Sequence, residues 1–229
     1  MRYNSAFEII GPIMVGPSSS HTAGAVRIGN LARTILKEEP KKVVFYLMGS
    51  FAETYQGHGT DLALLAGVLG YATDDPRISQ ADEQATAAGV DFSFEKRNFG
   101  FFHPNSVSIL IQGANRTLRI IASSLGGGKV EVQEINEIPV KFTGERPTLI
   151  LYHSDTQGFL AKVFYIINSL GYNIARLSLE RWSQGGNAIT VCEIDGKVGF
   201  HLTEQLAGNV EELQDLCFIQ PEEQSNDAQ

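Results

Sequence analysis

The sequence predicts an α+β fold in two domains, and three features carry that reading. Up to residue 142, helical stretches are interspersed among short apolar strands. A turn-rich segment, Phe142-Thr143-Gly144-Glu145-Arg146-Pro147, then breaks the pattern. After it the order becomes strand, helix, strand, strand, helix, strand. The boundaries that follow are a first domain over 1–142, a linker over 143–147, a second domain over 148–220 and a tail over 221–229.

In the first domain Gly16-Pro17 makes a turn, and Thr22 to Lys37 carries Ala25, Ile28, Ala32, Ile35 and Leu36 at spacings of three and four, which predicts a helix. Lys41 to Met48 is a β-rich apolar run suited to a buried strand. Thr60 to Leu69 returns to helical composition, and Pro76 to Ala88 reads as a helix with proline in its first turn. Strands are expected over Asp91 to Arg97, Val107 to Gln112 and Arg116 to Ser123, the last two joined at Gly113-Ala114-Asn115. Gly126-Gly127-Gly128 precedes a strand over Lys129 to Gln133 and suits either a hairpin turn or the close approach of a ligand to the backbone.

In the second domain Leu149 to His153 is a strand, and Gly158 to Leu170 a helix capped by Asp155 or Thr156. Asn173 to Trp182 is the next strand, turned by Gln184-Gly185-Gly186-Asn187 into Ala188 to Ile194. A helix over Thr203 to Leu213 and a strand over Leu216 to Gln220 complete a ferredoxin-like βαββαβ unit, two helices on one face of a four-stranded antiparallel sheet.

Composition narrows the class of protein. With 229 residues, 43% of them hydrophobic, the chain can bury one or two cores, and its length favours two. A net charge of −8 argues against nucleic acid or an anionic membrane as partner. Met1 to Ile10 lacks the basic and apolar regions of a signal peptide, and no apolar run reaches the roughly 18 residues of a membrane span, so a cytoplasmic protein is expected. Cys192 and Cys217 are too far apart for a metal knuckle and are expected reduced, as small hydrophobes in strands of the second domain.

The chemistry-bearing residues concentrate in the first domain. Ser18-Ser19-Ser20-His21-Thr22 sets four hydroxyls around an imidazole where a helix begins, and unpaired backbone N–H groups there can receive a carboxylate or phosphate. The same serines would serve equally as helix caps. Gly57-His58-Gly59 holds a second imidazole between residues without side chains, and histidine, with a free pKa near neutrality, is the natural proton carrier. Asp61 can orient the His58 ring or simply favour a helix N-terminus. His103 and Asn105, flanking Pro104, can stand at the mouth of the same pocket or merely start a strand. His153 and His201 are read as strand-end and loop residues without companion groups.

Gly16 to Thr22 with Ala23-Gly24, then Gly49-Ser50-Phe51-Ala52, then Gly57-His58-Gly59-Thr60-Asp61, resemble the signature segments of the beta subunit of bacterial iron–sulfur-dependent L-serine dehydratase. The resemblance runs over nearly the whole chain, with a first domain similar to allosteric substrate-binding domains and a second similar to an ACT domain. It implies the conversion of L-serine to pyruvate and ammonia. His58 and His21 would be the catalytic residues, and Ser18, Ser19, Ser20, Thr22, Asp61, His103 and Asn105 would bind substrate. It further implies a 4Fe–4S cluster held by a partner alpha subunit, with no metal ligand in this chain. The ACT resemblance implies a regulatory ligand at Asp155, Thr156, Gln157, Gly158 and Asn173, and self-association through that domain. A Lewis-acidic metal would ease departure of the serine hydroxyl. Lys37, Lys41 and Lys42, at a helix end and in a basic turn, offer no phosphate cup for the alternative, pyridoxal phosphate. A regulatory protein that binds L-serine without catalysis is the competing reading, since similar first domains occur in some phosphoglycerate dehydrogenases.

Overall fold

The computed structural model describes residues 13–100 and 102–221; Met1 to Ile10 and, but for Pro221, the tail expected over 221–229 lie outside them. Two units divide between Pro139 and Val140, inside the last strand of a six-stranded sheet that otherwise belongs to the first; the second has a four-stranded sheet, and the chain is α+β.

The first unit opens with a five-residue π-turn, Ser19–Ala23, which runs directly into α1 (Gly24–Leu36). The strand β1 (Lys42–Met48) follows, then the short helix α2 (Gly49–Thr54) and α3 (Thr60–Val68). Asp75 caps a 3₁₀ turn over Pro76–Gln80, and α4 covers Ala81–Ala87. The expected single helix from Pro76 to Ala88 is thus two, because Gln80 leaves the helical region at φ −127°. Strands β2 (Asp91–Lys96), β3 (Ser106–Gln112), β4 (Thr117–Gly126), β5 (Lys129–Ile135) and β6 (Ile138–Phe142) complete a sheet in the order β2-β1-β3-β4-β5-β6. β2 pairs parallel to β1, while β1–β3, β3–β4 and β4–β5 are antiparallel.

Register decides which face of this sheet is apolar. Phe45 lies opposite Ile109, which lies opposite Ile120; Leu47, Val107 and Ala122 form the next row, all buried. α1 packs on β3, β4 and β5. Removing a large apolar side chain from water is worth roughly 1.5–3 kcal/mol, so these rows hold the helix on the sheet. The alternate positions carry Ser106, Ser108 and Ser123 beside Leu110 and Ile121. The triple glycine closes the β4–β5 hairpin with all three residues at positive φ.

α3 is buried on all sides by Ala63, Leu64, Leu65, Ala66 and Val68, and it packs along α1 at two glycines. A Cβ on Gly67 would come within 2.1 Å of the Val26 carbonyl oxygen, and one on Gly29 within 2.4 Å of that of Leu64. Only two bare backbones can approach so closely. Asn30 Nδ2 and Arg33 Nη1 donate to the carbonyls of Tyr71 and Val68, so the C-terminal parts of both helices lie together, and so do their N-termini.

The second unit comprises β7 (Thr148–Ser154), α5 (Phe159–Ser169), β8 (Ile174–Arg181), β9 (Asn187–Ile194), α6 (His201–Asn209) and β10 (Leu213–Ile219). The sheet order is β10-β7-β9-β8, every neighbouring pair antiparallel. Leu149, Leu151, Cys192 and Ile194 share a core with Phe159, Val163 and Ile167 of α5 and Leu202 and Leu206 of α6, so both helices cover one face. α6 ends at Asn209 rather than at Leu213, since Val210 is already extended and buried. Neither Asp155 nor Thr156 caps α5: the N-cap is Gly158 at φ 92°, without a side-chain bond.

Candidate functional site

The parallel setting of α1 and α3 brings two loops together at their N-terminal ends. Gly16, at φ 125°, turns the chain so tightly that a Cβ there would strike Thr22 at 2.5 Å. The Ser18 hydroxyl then caps the π-turn by accepting the His21 N–H at 3.2 Å. A single extra residue in the turn re-aims its side chains, as π-turns commonly do at functional sites.

His21 is 8% exposed and held from every side. Its Nδ1 is 3.1 Å from Ser20 Oγ and 3.5 Å from Ser18 Oγ, and those two hydroxyls are 3.2 Å apart. Its Nε2 is 3.1 Å from Ser50 Oγ in the first turn of α2. Phe51 meets the ring edge-on with centroids 5.2 Å apart, and His58 does so at 4.9 Å. Burial, and secondarily the neighbouring His58, push the His21 pKa below its ordinary value, which favours the neutral ring.

The two imidazoles differ in one respect. Both nitrogens of His21 have hydroxyl partners, whereas His58 Nδ1 is buried and takes no hydrogen bond from the chain. An unpartnered buried nitrogen of this kind costs about 1–3 kcal/mol. Gly59, at φ 65°, ends the loop that carries His58 and caps α3. Three more buried hydroxyls on the elements around this pair lack partners: Thr22, Thr60 and Ser124. Ser124 stands against Gly24, where a Cβ would lie 2.2 Å from its Oγ.

The structure brings Ser18, Ser20, His21 and His58 together; Ser19 and Thr22 share their turn, the latter with its hydroxyl buried. Asp61 does not bond His58 Nδ1; its Oδ1 accepts the N–H of Leu62 at 2.9 Å. Burial raises the Asp61 pKa, against the opposing pull of that bond. His103 is turned into its own loop, Nδ1 accepting from Asn105 N–H at 3.2 Å, while Ser106 Oγ donates to the His103 carbonyl and Asn105 O accepts from Ser124 N–H. Pro104 packs on Gly49, where a Cβ would meet its carbonyl oxygen at 2.5 Å. Ser50 and Phe51, quoted above within a signature segment, are the two site residues to which sequence reasoning gave no role.

In the second unit Asp155 accepts from Arg181 Nη1 at 2.8 Å and from the Gly185 N–H at 3.0 Å. Those two bonds, the Gly185 N–H first, hold its carboxyl below the usual range. Asn173 donates to Asp195 at 2.8 Å. β7 and β8 both run antiparallel to β9, so Asp155, after β7, and Asn173, before β8, lie at opposite ends of one sheet. His153 has companions after all: it is 1% exposed, stacks on Phe159 at 3.6 Å, and bonds Thr190 Oγ1 and the Ser154 carbonyl. His201 stays at the exposed start of α6.

Among the described residues no three His, Cys, Asp or Glu side chains converge as metal ligands. Cys192 and Cys217 are buried and not disulfide-bonded. They pair with the adjacent residues Leu149 and Ile150, which puts them on opposite faces of the sheet, and burial pushes the Cys192 thiol up to about 12. A thiol that resists ionisation and has no second cysteine on its face does not fit a cluster.

Residues 5–89 match the family model of the serine dehydratase beta chain. Over 207 residues the chain is 39% identical to a probable L-serine dehydratase beta chain of Bacillus subtilis, covering 90% of this chain and 94% of that one. It is 41% identical over 206 residues to the L-serine dehydratase beta chain of Peptoniphilus asaccharolyticus, covering 89% and 93%. A D-3-phosphoglycerate dehydrogenase of Bacillus subtilis is 24% identical over 201 residues, 85% of this chain but 36% of that enzyme.

Proposed function

The chain belongs to the family of L-serine dehydratase beta chains, and we propose that it is the imidazole-bearing half of an L-serine ammonia-lyase. The observation that carries the assignment of roles is the asymmetry of the two rings. His58, with a buried and unpartnered Nδ1, is the base that removes the Cα proton; His21, bonded at both nitrogens, orients the site. Loss of that proton and of the β-hydroxyl as water gives 2-aminoacrylate, which tautomerises to an imine and hydrolyses to pyruvate and ammonia. Ser18, Ser19 and Ser20 hold the substrate carboxylate in this reading, and Thr22, Asp61, His103 and Asn105 are its further substrate-binding residues.

A base alone does not make hydroxide leave. A 4Fe–4S cluster with an open iron supplies Lewis acidity of the required kind. This chain's two thiols do not fit one, which supports placing the cluster on a cysteine-bearing alpha chain; the reading is a two-chain, cytoplasmic enzyme. No helix among the described residues is long and apolar enough to cross a membrane.

The second unit is read as an ACT domain, supported by its strand order and by two helices on one face. Since Asp155 and Asn173 lie at opposite ends of its sheet, a ligand held by both requires a second copy, paired along edge strand β8. The match over nearly the full length of dehydratase beta chains, against about a third of the phosphoglycerate dehydrogenase, favours catalysis over regulation alone.

The test is anaerobic coexpression with the cysteine-rich partner. Pyruvate should form from L-serine with the pair and with neither chain alone, and this chain by itself should be colourless. Iron–sulfur absorption near about 400 nm in the isolated chain would overturn the division of labour.

A further inference from the structure

The hydroxyls around His21 form a line, Ser50, then the ring, then Ser20, then Ser18, and each hydroxyl has one proton to give. The protons can be laid along it in two ways. If His21 carries its proton on Nε2, that N–H donates to Ser50, Ser20 donates to Nδ1, and Ser18 donates to Ser20. The protons of Ser18 and Ser20 then both point inward, and those two hydroxyls offer only lone pairs to a ligand. If the proton sits on Nδ1, Ser50 donates to Nε2, Nδ1–H donates to Ser20, and Ser20 donates to Ser18. Ser18 already accepts the His21 backbone N–H, so its own proton is released outward.

What reaches a ligand distinguishes the two. Ser18 accepts the His21 backbone N–H in both, but only the Nδ1–H arrangement leaves the Ser18 proton for an anion, and an anion is what the start of a helix favours. In that arrangement Ser50 is the donor to Nε2. Gly49, at φ 56°, turns β1 into α2, and Phe51, fully buried, braces the ring edge-on, so the Ser50 hydroxyl is delivered to Nε2.

We propose that Ser50 is a positioning residue that donates to His21 Nε2, fixes the Nδ1–H tautomer and so turns the Ser20–Ser18 hydroxyls into a donor chain for a carboxylate. This rests on the reading of the serine loop as the substrate's carboxylate cradle, but its first test does not. Histidine-ring ¹⁵N shifts and long-range ¹H–¹⁵N correlations on the labelled full chain, near pH 7.5 and without partner or serine, report the tautomer directly. The expected result is His21 protonated on Nδ1 alone in the native chain and in Ser50→Thr, which keeps the hydroxyl, and mixed tautomers in Ser50→Ala. A native chain protonated on Nε2, or a Ser50→Ala spectrum with the tautomer unchanged, would overturn the proposal even where Ser50→Ala folds poorly, since the native spectrum decides alone.

In the assembled pair Ser50→Ala should raise the KM for serine about tenfold, the worth of one hydrogen bond, with a smaller fall in kcat and recovery in Ser50→Thr. An unchanged KM would contradict the donor chain. A correct tautomer in a pair that fails to turn over serine would leave the Ser50 assignment standing and count against the dehydratase reading instead.

Discussion

Ser18 and Ser20 sit two residues apart and differ in what they do for the fold. Ser18 accepts a backbone N–H as the N-cap besides facing the carboxylate, so Ser18→Ala should lower stability by about 0.5–2 kcal/mol as well as raise the KM for serine. Ser20 bonds a side chain, and Ser20→Ala should raise the KM for serine while costing less stability than Ser18→Ala. Thermal melts and steady-state kinetics on both variants separate these outcomes. A Ser20→Ala enzyme with native KM and a melting temperature as depressed as that of Ser18→Ala would reduce the loop to a cap.

At the scale of elements, the site depends on how closely α1 and α3 approach. The Gly29–Gly67 contact lies roughly 12 Å along each helix from the imidazoles, at 1.5 Å per residue, yet it sets their separation. Gly67→Ala places a methyl against the Val26 carbonyl and should cost about 1–3 kcal/mol, with activity falling as the rings part. A Gly67→Ala chain of native melting temperature and kcat would show that the helices are free to slide. The second unit gives a contrasting expectation. Asn173 touches no proposed catalytic group, so Asn173→Ala in an assembled enzyme should alter cooperativity or activation by an amino acid and leave kcat at saturating serine nearly intact. Loss of all turnover there would place the catalytic boundary wrongly.

Much of this architecture is legible in the sequence, because helices such as α1 and strands such as β1 bury one face at a regular period. Two elements are not. β6 contains Pro139, which argues against a strand, but an edge strand tolerates it, and the turn before it uses Asn136 and Glu137 at positive φ where a glycine would have announced it. α2 is six residues long and too short for a period to register. The same shortness hid Ser50, whose role comes from a contact 29 residues away in sequence.

At the scale of the molecule, two buried histidines make stability depend on pH. Burial lowers the pKa of both His21 and His153 from an unfolded value of 6.5, so below that pH the unfolded chain binds more protons than the folded one. Stability from these rings is therefore present above about pH 6.5 and is lost progressively as the pH falls from there through their lowered folded values. Asp61 acts in the opposite sense, its buried carboxyl keeping its proton to a higher pH when folded. The informative quantity is consequently a difference. His153→Gln, which can still bond Thr190 but does not titrate, should melt lower overall and show a shallower decline between pH 7.5 and 5.5. Parallel profiles for the two chains would remove His153 from the account.

The central claim is that this chain contributes the base to a reaction whose Lewis acid lies elsewhere. The most direct measurement is kcat for pyruvate formation from L-serine by the native and the His58→Ala chain, each assembled anaerobically with the alpha chain and matched for iron content. Loss of a general base lowers the rate by about 10²–10⁴, and the predicted result is a fall of that size in kcat with the KM little changed. A His58→Ala complex with native kcat, or one in which only KM rises while His21→Ala abolishes turnover, would contradict the account.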